Sequence, residues 1–396
     1  MIQRKQTLFM LAALVLIIVC LCLPVATLVT QSMDIDSQVT NLWIRNKSGV
    51  SFTSSPLFVI LLLTCPLTLW AIFKYHHRLF QARLCVANMV LIVAWYAYYA
   101  FLCLTSMAVV KPHFSSILPI VAAILYVYGT TVGFSRLEIR HLDIYMKDLP
   151  ATFDGYKIVQ FSDAHVGTFY GSRFTLLKRD VDSINAQKAD VIYFTGDLQN
   201  IQPSELCPHA RSLSSLRAKD GVYSVLGNHD YSEYIKADAA IKDANEKDMV
   251  NRQRQMGWKL LQNEHISIHR GKDSIVVVGT ENDGRPPFPQ KADLRKALRG
   301  IENAGVFKIL LQHDPSSWDR HVLPQSNIQL TLCGHTHAGQ LSIFGWRPTE
   351  LRYKQDYGLY KQGDRYLYVT AGIGGVVPFR LGSSAEIAVI TLHKTK

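Results

Sequence analysis

The sequence contains few cysteines and no Cys-x-x-Cys pair, which limits the kinds of site that it can build. Five of its seven cysteines lie within residues 1–135, and only Cys207 and Cys333 lie in the rest of the chain. This distribution supplies neither a disulfide framework nor a cysteine-ligated zinc site, and it fits a reducing compartment. The sequence also lacks a GxxxxGK[ST] motif, so it predicts no nucleotide-phosphate cradle of that kind.

Charged residues are scarce in the first third of the chain, although the whole chain carries a formal net charge of +11. Lys and Arg flank the apolar runs or are scattered beyond residue 135, without a dense patch interleaved with aromatic residues. This distribution does not favour nucleic-acid binding, and we expect no nucleic-acid partner. With 396 residues, the chain is long enough for two or more domains.

Four apolar runs predict an all-α membrane bundle of about four spans in residues 1–135. Each run approaches or exceeds the ~20 residues that cross the hydrocarbon core, and they cover about 7–29, 56–73, 84–110 and 115–134. A cleaved signal peptide is the alternative for the first run, but its length and the three later runs favour a span. Because no charged residue lies deep within a run, we expect a membrane anchor rather than a transporter or an ion path.

The Lys and Arg residues that flank these runs predict the orientation of the bundle. With the N-terminus inside, the predicted outer loops carry only Arg45, Lys47 and Lys111, and the inner segments carry the other flanking positive residues. An even number of spans then returns the chain to the cytoplasmic side. One span more or fewer would place the rest of the chain on the opposite side.

From residue 136 onward, short β-type runs alternate with helical stretches, which predicts an α/β domain over residues 136–396. Helices are expected near 174–185, 204–216 and 291–300, and a charged, helix-prone excursion near 233–258. Strands are expected near 137–144, 157–161, 190–195, 222–226, 274–279, 306–312, 328–333, 339–344, 366–371 and 386–392.

Five of these predicted strands are followed directly by residues that can bind metal ions or transfer protons. In open α/β sheets, active sites lie beyond the carboxyl ends of strands, and adjacent glycines allow the backbone to approach a ligand closely. Each residue alone is more often a turn or core residue, but the five endings together predict a metal site. The residues are Asp163 and His165, then Asp197, then Asn228, His229 and Asp230, then His313, and finally His335 and His337.

The order of these motifs, Asp-x-His, Gly-Asp, Gly-Asn-His-Asp, His and Gly-His-x-His, resembles that of the calcineurin-like metallophosphoesterase family. The resemblance covers about residues 150–396 and implies an αββα sandwich, in which two mixed sheets face each other with helices outside. It also implies a centre of two divalent metal ions. One ion would be held by Asp163, His165, Asp197 and His337, and the second by Asp197, Asn228, His313 and His335.

The chemistry of these side chains agrees with that implied centre. Two divalent ions about 4 Å apart need a shared carboxylate to offset their repulsion, and a hydroxide shared between them is an activated nucleophile. Carboxylate, amide and imidazole ligands without thiolates suit Mn²⁺, Fe²⁺ or Zn²⁺.

Three further residues are expected to serve the reaction. His229 is placed to protonate the leaving oxygen, with Asp230 as its orienting partner; a turn-stabilising role is the alternative for Asp230. Arg380 lies in a glycine-rich loop at residues 371–382, and it is the candidate for binding a substrate phosphate. A plain surface arginine is the alternative for Arg380.

An apolar N-terminal region joined to such a domain resembles the membrane-anchored branch of the family. Relatives in that branch include UDP-2,3-diacylglucosamine pyrophosphatases of lipid A synthesis. The resemblance implies hydrolysis of a lipid-linked phosphoester at the bacterial inner membrane, with the catalytic domain on the cytoplasmic side. Since the sequence shows no acyl pocket, a phosphodiesterase or phosphatase that acts on another lipid or a nucleotide is the alternative. A membrane sensor that binds metal without turnover is the non-enzymatic alternative, and the complete set of site residues argues against it.

Overall fold

The computed structural model describes residues 117–395. The first described element is helix α1 (Ile117–Tyr128), which continues through a π-helical turn (Gly129–Gly133) and lies within the fourth predicted span. The other three predicted spans lie outside the described residues. Within the described part of the chain, no helix combines the length and the hydropathy that a membrane crossing requires.

Two six-stranded sheets form the centre of the described region. Their strands, in chain order, are β1 (Leu137–Met146), β2 (Tyr156–Phe161), β3 (Val191–Phe194), β4 (Val222–Ser224), β5 (Lys259–Leu260), β6 (Glu264–Arg270), β7 (Asp273–Gly279), β8 (Phe307–Leu311), β9 (Leu330–Cys333), β10 (Gly358–Gln362), β11 (Arg365–Val369) and β12 (Ala385–Lys394). The first sheet has the order β1-β12-β2-β3-β4-β5, and the second has the order β10-β11-β9-β8-β7-β6.

Both sheets are mixed, as predicted. In the first sheet, β2, β3, β4 and β5 are parallel, whereas β12 is antiparallel to β2 and parallel to β1. In the second sheet, β7, β8, β9 and β11 are parallel, and the two edge strands are antiparallel to their neighbours. Because the central strands of each sheet are parallel, their carboxyl ends meet at one edge of that sheet.

Helices and short helical turns connect these strands. The α-helices after α1 are α2 (Phe174–Ala186), α3 (Ala210–Leu213), α4 (Ala239–Gln255), α5 (Leu294–Ala297) and α6 (Leu323–Gln325), and α6 follows a π-helical turn (Trp318–Val322). The 3-10 turns are Ala151–Phe153, Val166–Thr168, Gly171–Arg173, Pro203–Leu206, His337–Gly339 and Pro348–Leu351.

Three layers of buried apolar side chains hold the sheets and helices together. Between the sheets, Ile158 and Tyr193 of the first sheet belong to the same core cluster as Ile309 and Leu332 of the second. The outer faces of the two sheets carry their own clusters, which include α2 on one side and Trp318 on the other. Strands covered on both faces read as continuous apolar runs, and this arrangement matches the predicted αββα sandwich.

Several predicted elements are wrong in detail. The strand expected at 339–344 is a turn, in which Leu341 and Ile343 form only isolated bridges, because Gln340 and Phe344 adopt left-handed φ angles. The helix expected at 204–216 is interrupted after Leu206, since Pro208 cannot continue a helix. The helix expected at 291–300 is reduced to α5. Strands β6 and β10 escape prediction because they are edge strands with many polar residues.

Candidate metal centre

The predicted ligands lie at the carboxyl ends of five central strands. Asp163 and His165 follow β2, Asp197 follows β3 and Asn228 follows β4 in the first sheet, while His313 follows β8 and His335 and His337 follow β9 in the second. Backbone hydrogen bonds join these loops, for example from the Asp163 amide to the Gly196 carbonyl (2.8 Å) and from the Gly334 amide to the His313 carbonyl (3.0 Å). The structure therefore brings residues that are far apart in the sequence into one cluster.

The backbone at the cluster adopts an uncommon conformation. Positive φ is rare for residues other than glycine, and such strain concentrates at functional sites. Five of the seven predicted ligands nevertheless have left-handed φ values, namely Asp163 (51°), His165 (40°), Asp197 (62°), His335 (76°) and His337 (55°). These sharp turns direct several side chains from one short loop towards a common point.

Two glycines beside the ligands leave no room for a side chain. A Cβ at Gly334 would collide with Ser162 and with the Asp163 carboxylate, and a Cβ at Gly227 would collide with the Asp197 carboxylate. The expectation that these glycines allow close backbone approach is therefore met at both positions.

The first ligand group consists of Asp163, His165, Asp197 and His337, all of them buried, and one ligand atom from each lies within 4.8 Å of the others. His165 Nε2 is 3.5 Å from Asp197 Oδ2, and His337 Nε2 is 3.4 Å from Asp163 Oδ1. Two carboxylates and two imidazoles at this spacing form a group that can hold one divalent cation.

The second group consists of Asp197, His313 and His335, so Asp197 is shared with the first. His313 Nε2 lies 3.1 Å from Asp197 Oδ2 and 3.2 Å from His335 Nδ1. Asn228 precedes His229, whose backbone amide donates to Asp197 Oδ1 (2.8 Å). The Asn228 amide nitrogen donates to the Tyr234 hydroxyl (2.8 Å). Seven of the eight places in the two implied ligand sets are filled by these groups, and the place of Asn228 in the second set stays a prediction.

Unpaired buried atoms indicate that these groups suit cations. Buried polar atoms nearly always have a hydrogen-bond partner. Among residues 117–395, however, both ring nitrogens of His165, Nδ1 of His337 and Oδ1 of Asn228 are buried without one. A neutral imidazole has a lone pair on only one of its two nitrogens, so each of these three side chains offers one buried lone-pair donor that a metal ion would use.

Protonation of the histidines agrees with this interpretation. Burial, followed by the nearby charge of His229, lowers the pKa of His165 to about 3, and burial lowers the pKa of His335 to about 4. Both imidazoles are therefore neutral, as ligands must be. Burial also acts to lower the pKa of His313, but the Asp197 carboxylate outweighs it and raises the pKa to about 10. The protonated His313 thus places a positive charge beside the Asp197 carboxylate. A bound metal cation would neutralise the same carboxylate.

Outer residues hold the ligand rings in place, and the sequence analysis missed them. His313 Nδ1 pairs with the Thr195 carbonyl at 2.7 Å, which leaves Nε2 to face the centre. His335 Nε2 lies 2.7 Å from the Tyr353 hydroxyl and 3.5 Å from Asp314 Oδ2. Asp314 directly follows His313 and could have been noticed, whereas no sequence signal marks Tyr353.

His229 lies beside the first group, half-buried, with its ring centroid 4.7 Å from that of His165. Its Nδ1 is paired with the Asn200 carbonyl at 2.6 Å. This contact orients the ring and leaves Nε2 available for proton transfer.

Asp230 does not orient His229 through a side-chain contact, contrary to the sequence expectation. Its carboxylate accepts hydrogen bonds from the backbone amides of Gly227, Asp197, Leu198 and Gln199 at 2.9 to 3.3 Å. Asp230 therefore fixes the loops that carry Asp197 and Asn228, which corresponds to the turn-stabilising alternative.

Arg380 also has a different place from the one predicted. Its side chain is fully buried, and its guanidinium donates to the carbonyls of Ala371, Gly372, Gly374 and Ser384 at 2.7 to 3.2 Å. A guanidinium surrounded by backbone carbonyls braces the glycine-rich loop and does not offer itself to a substrate phosphate.

Family models match two regions of the chain. The family model described as calcineurin-like phosphoesterase matches residues 156–339, a range that includes all seven predicted ligands. A second model, described as a domain of unknown function (DUF4293), matches residues 2–130.

Two curated relatives illustrate the similarity. An uncharacterized metallophosphoesterase, YkuE of Bacillus subtilis, is 31% identical over 62% of this chain and 82% of its own length. A zebrafish protein named transmembrane protein with metallophosphoesterase domain is 31% identical over 69% of this chain and 62% of its own length. The chain thus spans less than two thirds of the zebrafish relative.

Solved structures match less closely. A metallophosphoesterase from Sphaerobacter thermophilus superimposes with a TM-score of 0.27 and 18% identity, over 55% of this chain and 77% of its own.

Proposed function

The chain belongs to the calcineurin-like phosphoesterase family, and on that premise we propose that it is a membrane-anchored hydrolase. It would bind two divalent metal ions and hydrolyse a phosphodiester or a pyrophosphate. The observation that carries this proposal is the shared position of Asp197, which belongs to both ligand groups. Two ions that act together on one phosphoryl group need such a shared ligand. A site for a single structural ion would not.

The two buried groups support a division of the ligands between two ions, and we add Asn228 to the second group. Asp163, His165, Asp197 and His337 would hold one ion, and Asp197, Asn228, His313 and His335 would hold the other. Mn²⁺, Fe²⁺ and Zn²⁺ suit this mixture of oxygen and nitrogen donors. When bound, the ions would supply an activated water as nucleophile and positive charge for the phosphoryl oxygens.

The protein's own residues would position the phosphoryl group and move a proton. His229, oriented by the Asn200 carbonyl, would donate a proton from Nε2 to the leaving oxygen. Asp230 would keep the Asp197 and Asn228 loops in register through its four amide contacts. Thr195 and Tyr353 would keep the imidazoles of His313 and His335 turned towards the centre.

We further propose that residues 1–135 form a four-span anchor and residues 136–396 form the catalytic domain. The uncharged apolar runs support this division, and so does the separation of the two family models at residues 130 and 156. The name of the zebrafish relative, a transmembrane protein, points the same way. We propose a cytoplasmic catalytic domain at the bacterial inner membrane, and the flanking Lys and Arg residues support the cytoplasmic side.

An anchored domain suits a substrate that is itself held in the membrane. Tethering raises the effective concentration of enzyme near such a substrate without new contacts in the active site. We therefore propose a lipid-linked phosphoester, with UDP-2,3-diacylglucosamine of lipid A synthesis as the first compound to test. A different lipid or a nucleotide is the alternative within the same chemistry.

The test of the chemistry is hydrolysis of bis-p-nitrophenyl phosphate by the full chain with Mn²⁺. Asp197→Ala should abolish turnover, and His229→Ala should lower kcat by about 10² to 10⁴-fold while Mn²⁺ binding persists. Asp243→Ala and His269→Ala are matched controls, because both residues are exposed and lie outside the cluster. Equal rates in all five proteins would overturn the proposed mechanism.

The test of the substrate uses the same preparations with UDP-2,3-diacylglucosamine. Cleavage of the pyrophosphate should yield UMP and the acylated monophosphate, in amounts that depend on Asp197 and His229. Intact substrate, together with continued hydrolysis of the p-nitrophenyl ester, would refute the lipid A assignment and leave the phosphoesterase assignment standing.

A further inference from the structure

A two-residue hairpin near the metal centre exposes apolar side chains that nothing in the described structure covers. Ile343 and Trp346 exchange both backbone hydrogen bonds, at 2.9 and 3.0 Å, so Phe344 and Gly345 form the tip. Phe344 is 106% exposed, Ile343 49% and Trp346 45%. We name residues 343–346 the aromatic tip.

The conformation of the aromatic tip is also unusual for its sequence. Phe344 and Gly345 both have positive φ, 51° and 89°, as this type of tight hairpin turn requires. Asn, Asp or Gly is the ordinary residue at the first turn position. A bulky apolar residue that is both strained and fully exposed points to a partner that covers it.

Backbone hydrogen bonds connect the base of the hairpin, Ser342, to the end of helix α1 through residues 380–381. The amide of Ser342 donates to the Leu381 carbonyl (2.7 Å), and the amide of Arg380 donates to the Gly129 carbonyl (2.9 Å). Residues 380–381 therefore join the base of the hairpin to the π-helical turn that follows α1. A cleft of about 270 Å³ is lined by Tyr128 of α1, Gly133 of the π-helical turn and Ser342 at the base of the hairpin.

Helix α1 shares the apolar character of the tip. Its exposed side chains include Val121, Ile124, Leu125 and Val127, and Val132 follows in the π-helical turn. A helix with apolar residues on several sides is typical of a membrane or of a buried core. The described structure begins at this helix, and the preceding chain consists of the apolar runs that predict the anchor.

We propose that the aromatic tip inserts into the headgroup region of the lipid bilayer that the N-terminal region enters. This inference rests on the proposed membrane attachment. Trp and Phe residues favour the membrane interface, and Arg136 is exposed next to α1, where it can meet anionic headgroups. We infer a bilayer rather than a second copy of the chain or a protein partner, because the chain that precedes α1 consists of apolar runs and a bilayer would also cover the exposed apolar residues of α1.

The proposal has a consequence for the substrate. His337, a predicted ligand, lies just before the hairpin in the chain, and Gln340 between them is held by the carbonyls of Val377 and Phe379 at 2.8 and 2.7 Å. Because this short connection is braced, insertion of the tip would fix the metal centre at the bilayer surface. A phosphate at headgroup depth is then the substrate group that the centre meets.

The experiment places a tryptophan at the tip of the full chain, reconstituted in phosphatidylcholine and phosphatidylglycerol vesicles whose acyl chains carry bromine. Phe344→Trp and the control Ile241→Trp are each compared with the parent chain, so that the difference in emission reports the added residue. Ile241 is exposed on α4, which packs beside β5, at the edge of the first sheet opposite β1. We expect blue-shifted, bromine-quenched emission from position 344 and unquenched emission from position 241.

Flotation of the protein with the vesicles tests the membrane anchor separately from the insertion of the aromatic tip. A chain that floats with vesicles but shows no quenching at position 344 would refute insertion and leave the anchor intact. A blue shift that depends on protein concentration and not on bromine would assign the tip to a second copy, which also overturns the proposal. A chain that does not float would overturn both.

A kinetic measurement gives a second readout. The double substitution Phe344→Ser and Trp346→Ser should raise KM for a phosphoester embedded in vesicles by about 10²-fold, since it removes the burial of two apolar side chains. Hydrolysis of soluble bis-p-nitrophenyl phosphate should be unchanged. An equal change for both substrates, or no change for either, would contradict the proposed role.

Discussion

Replacing Gly227 with alanine should disable the metal centre while the rest of the fold persists. The added Cβ would lie 2.5 Å from the Asp197 amide nitrogen and 2.8 Å from its Cγ, and it would overlap the Oδ1 atom. Ordinary contacts of a Cβ begin near 3.4 Å, so the Asp197 backbone must move by about 0.9 Å, and its Oδ1 atom by more, in a closely packed interior. Gly227 does not have a left-handed φ, so the lack of space alone causes this effect.

The size of the effect follows from the shared position of Asp197. A misplacement of about 1 Å in a catalytic constellation costs about 10²-fold in rate, and disturbed support of a ligand lowers metal affinity by about 10 to 100-fold. Because Asp197 belongs to both groups, both ions should bind more weakly. Overpacking should also lower the free energy of unfolding by about 1 to 3 kcal/mol.

Titration calorimetry of Mn²⁺ into the chelator-treated full chain measures both affinities, and bis-p-nitrophenyl phosphate measures the rate. Gly305→Ala is the control, since a Cβ there meets no heavy atom within 4 Å and the residue needs no left-handed φ. If Gly227→Ala bound Mn²⁺ with wild-type affinity at both sites, the Asp197 loop would have moved without loss of binding, and the steric argument would be wrong.

Three further outcomes are expected. Tyr353→Phe, which removes the hydroxyl 2.7 Å from His335 Nε2, should weaken Mn²⁺ binding by about 10 to 100-fold in calorimetry, whereas Tyr145→Phe, at an exposed position, should not. Asp230→Asn turns an amide NH₂ towards backbone donors, so the free energy of unfolding in urea should fall by about 1 to 3 kcal/mol. Removal of metal by EDTA should lower the melting temperature, and Mn²⁺ at about 100 times its Kd should restore about 2.7 kcal/mol of stability.

The candidate site could be predicted because its residues follow strands that are easy to recognise. β2, β3, β8 and β9 are buried on both faces, so they stand out as apolar runs, and parallel strands bring their carboxyl ends together. Polar residues directly after such runs, as at Asp197 and His313, therefore mark the edge where a ligand binds.

Other features could not be predicted, because they depend on contacts between distant segments. The charge of Arg380 suggests a side chain that faces solvent or binds substrate. In the structure, however, backbone carbonyls, most of them from its own loop, surround its guanidinium. Tyr353 reaches His335 from a loop with no pattern of its own. The hairpin at 343–346 resembles a strand in sequence, and its left-handed turn became visible only in the structure.

The strained backbone of the ligands and the bonds that hold it lead to one more conclusion. Left-handed conformations cost of order 1 kcal/mol or more for each such residue, and the site contains five of them among its predicted ligands. Hydrogen bonds from the amide of Asp163 to Gly196 and from that of His165 to Asp197, at 2.8 and 3.1 Å, bind one ligand loop to the next without any ion. Since the two sheets bury their own core, the fold supplies the energy that keeps these turns closed. We therefore expect the centre to keep its shape when metal is removed, unlike small zinc domains that fold only with metal, and chelation should leave the chain folded with unchanged far-ultraviolet circular dichroism.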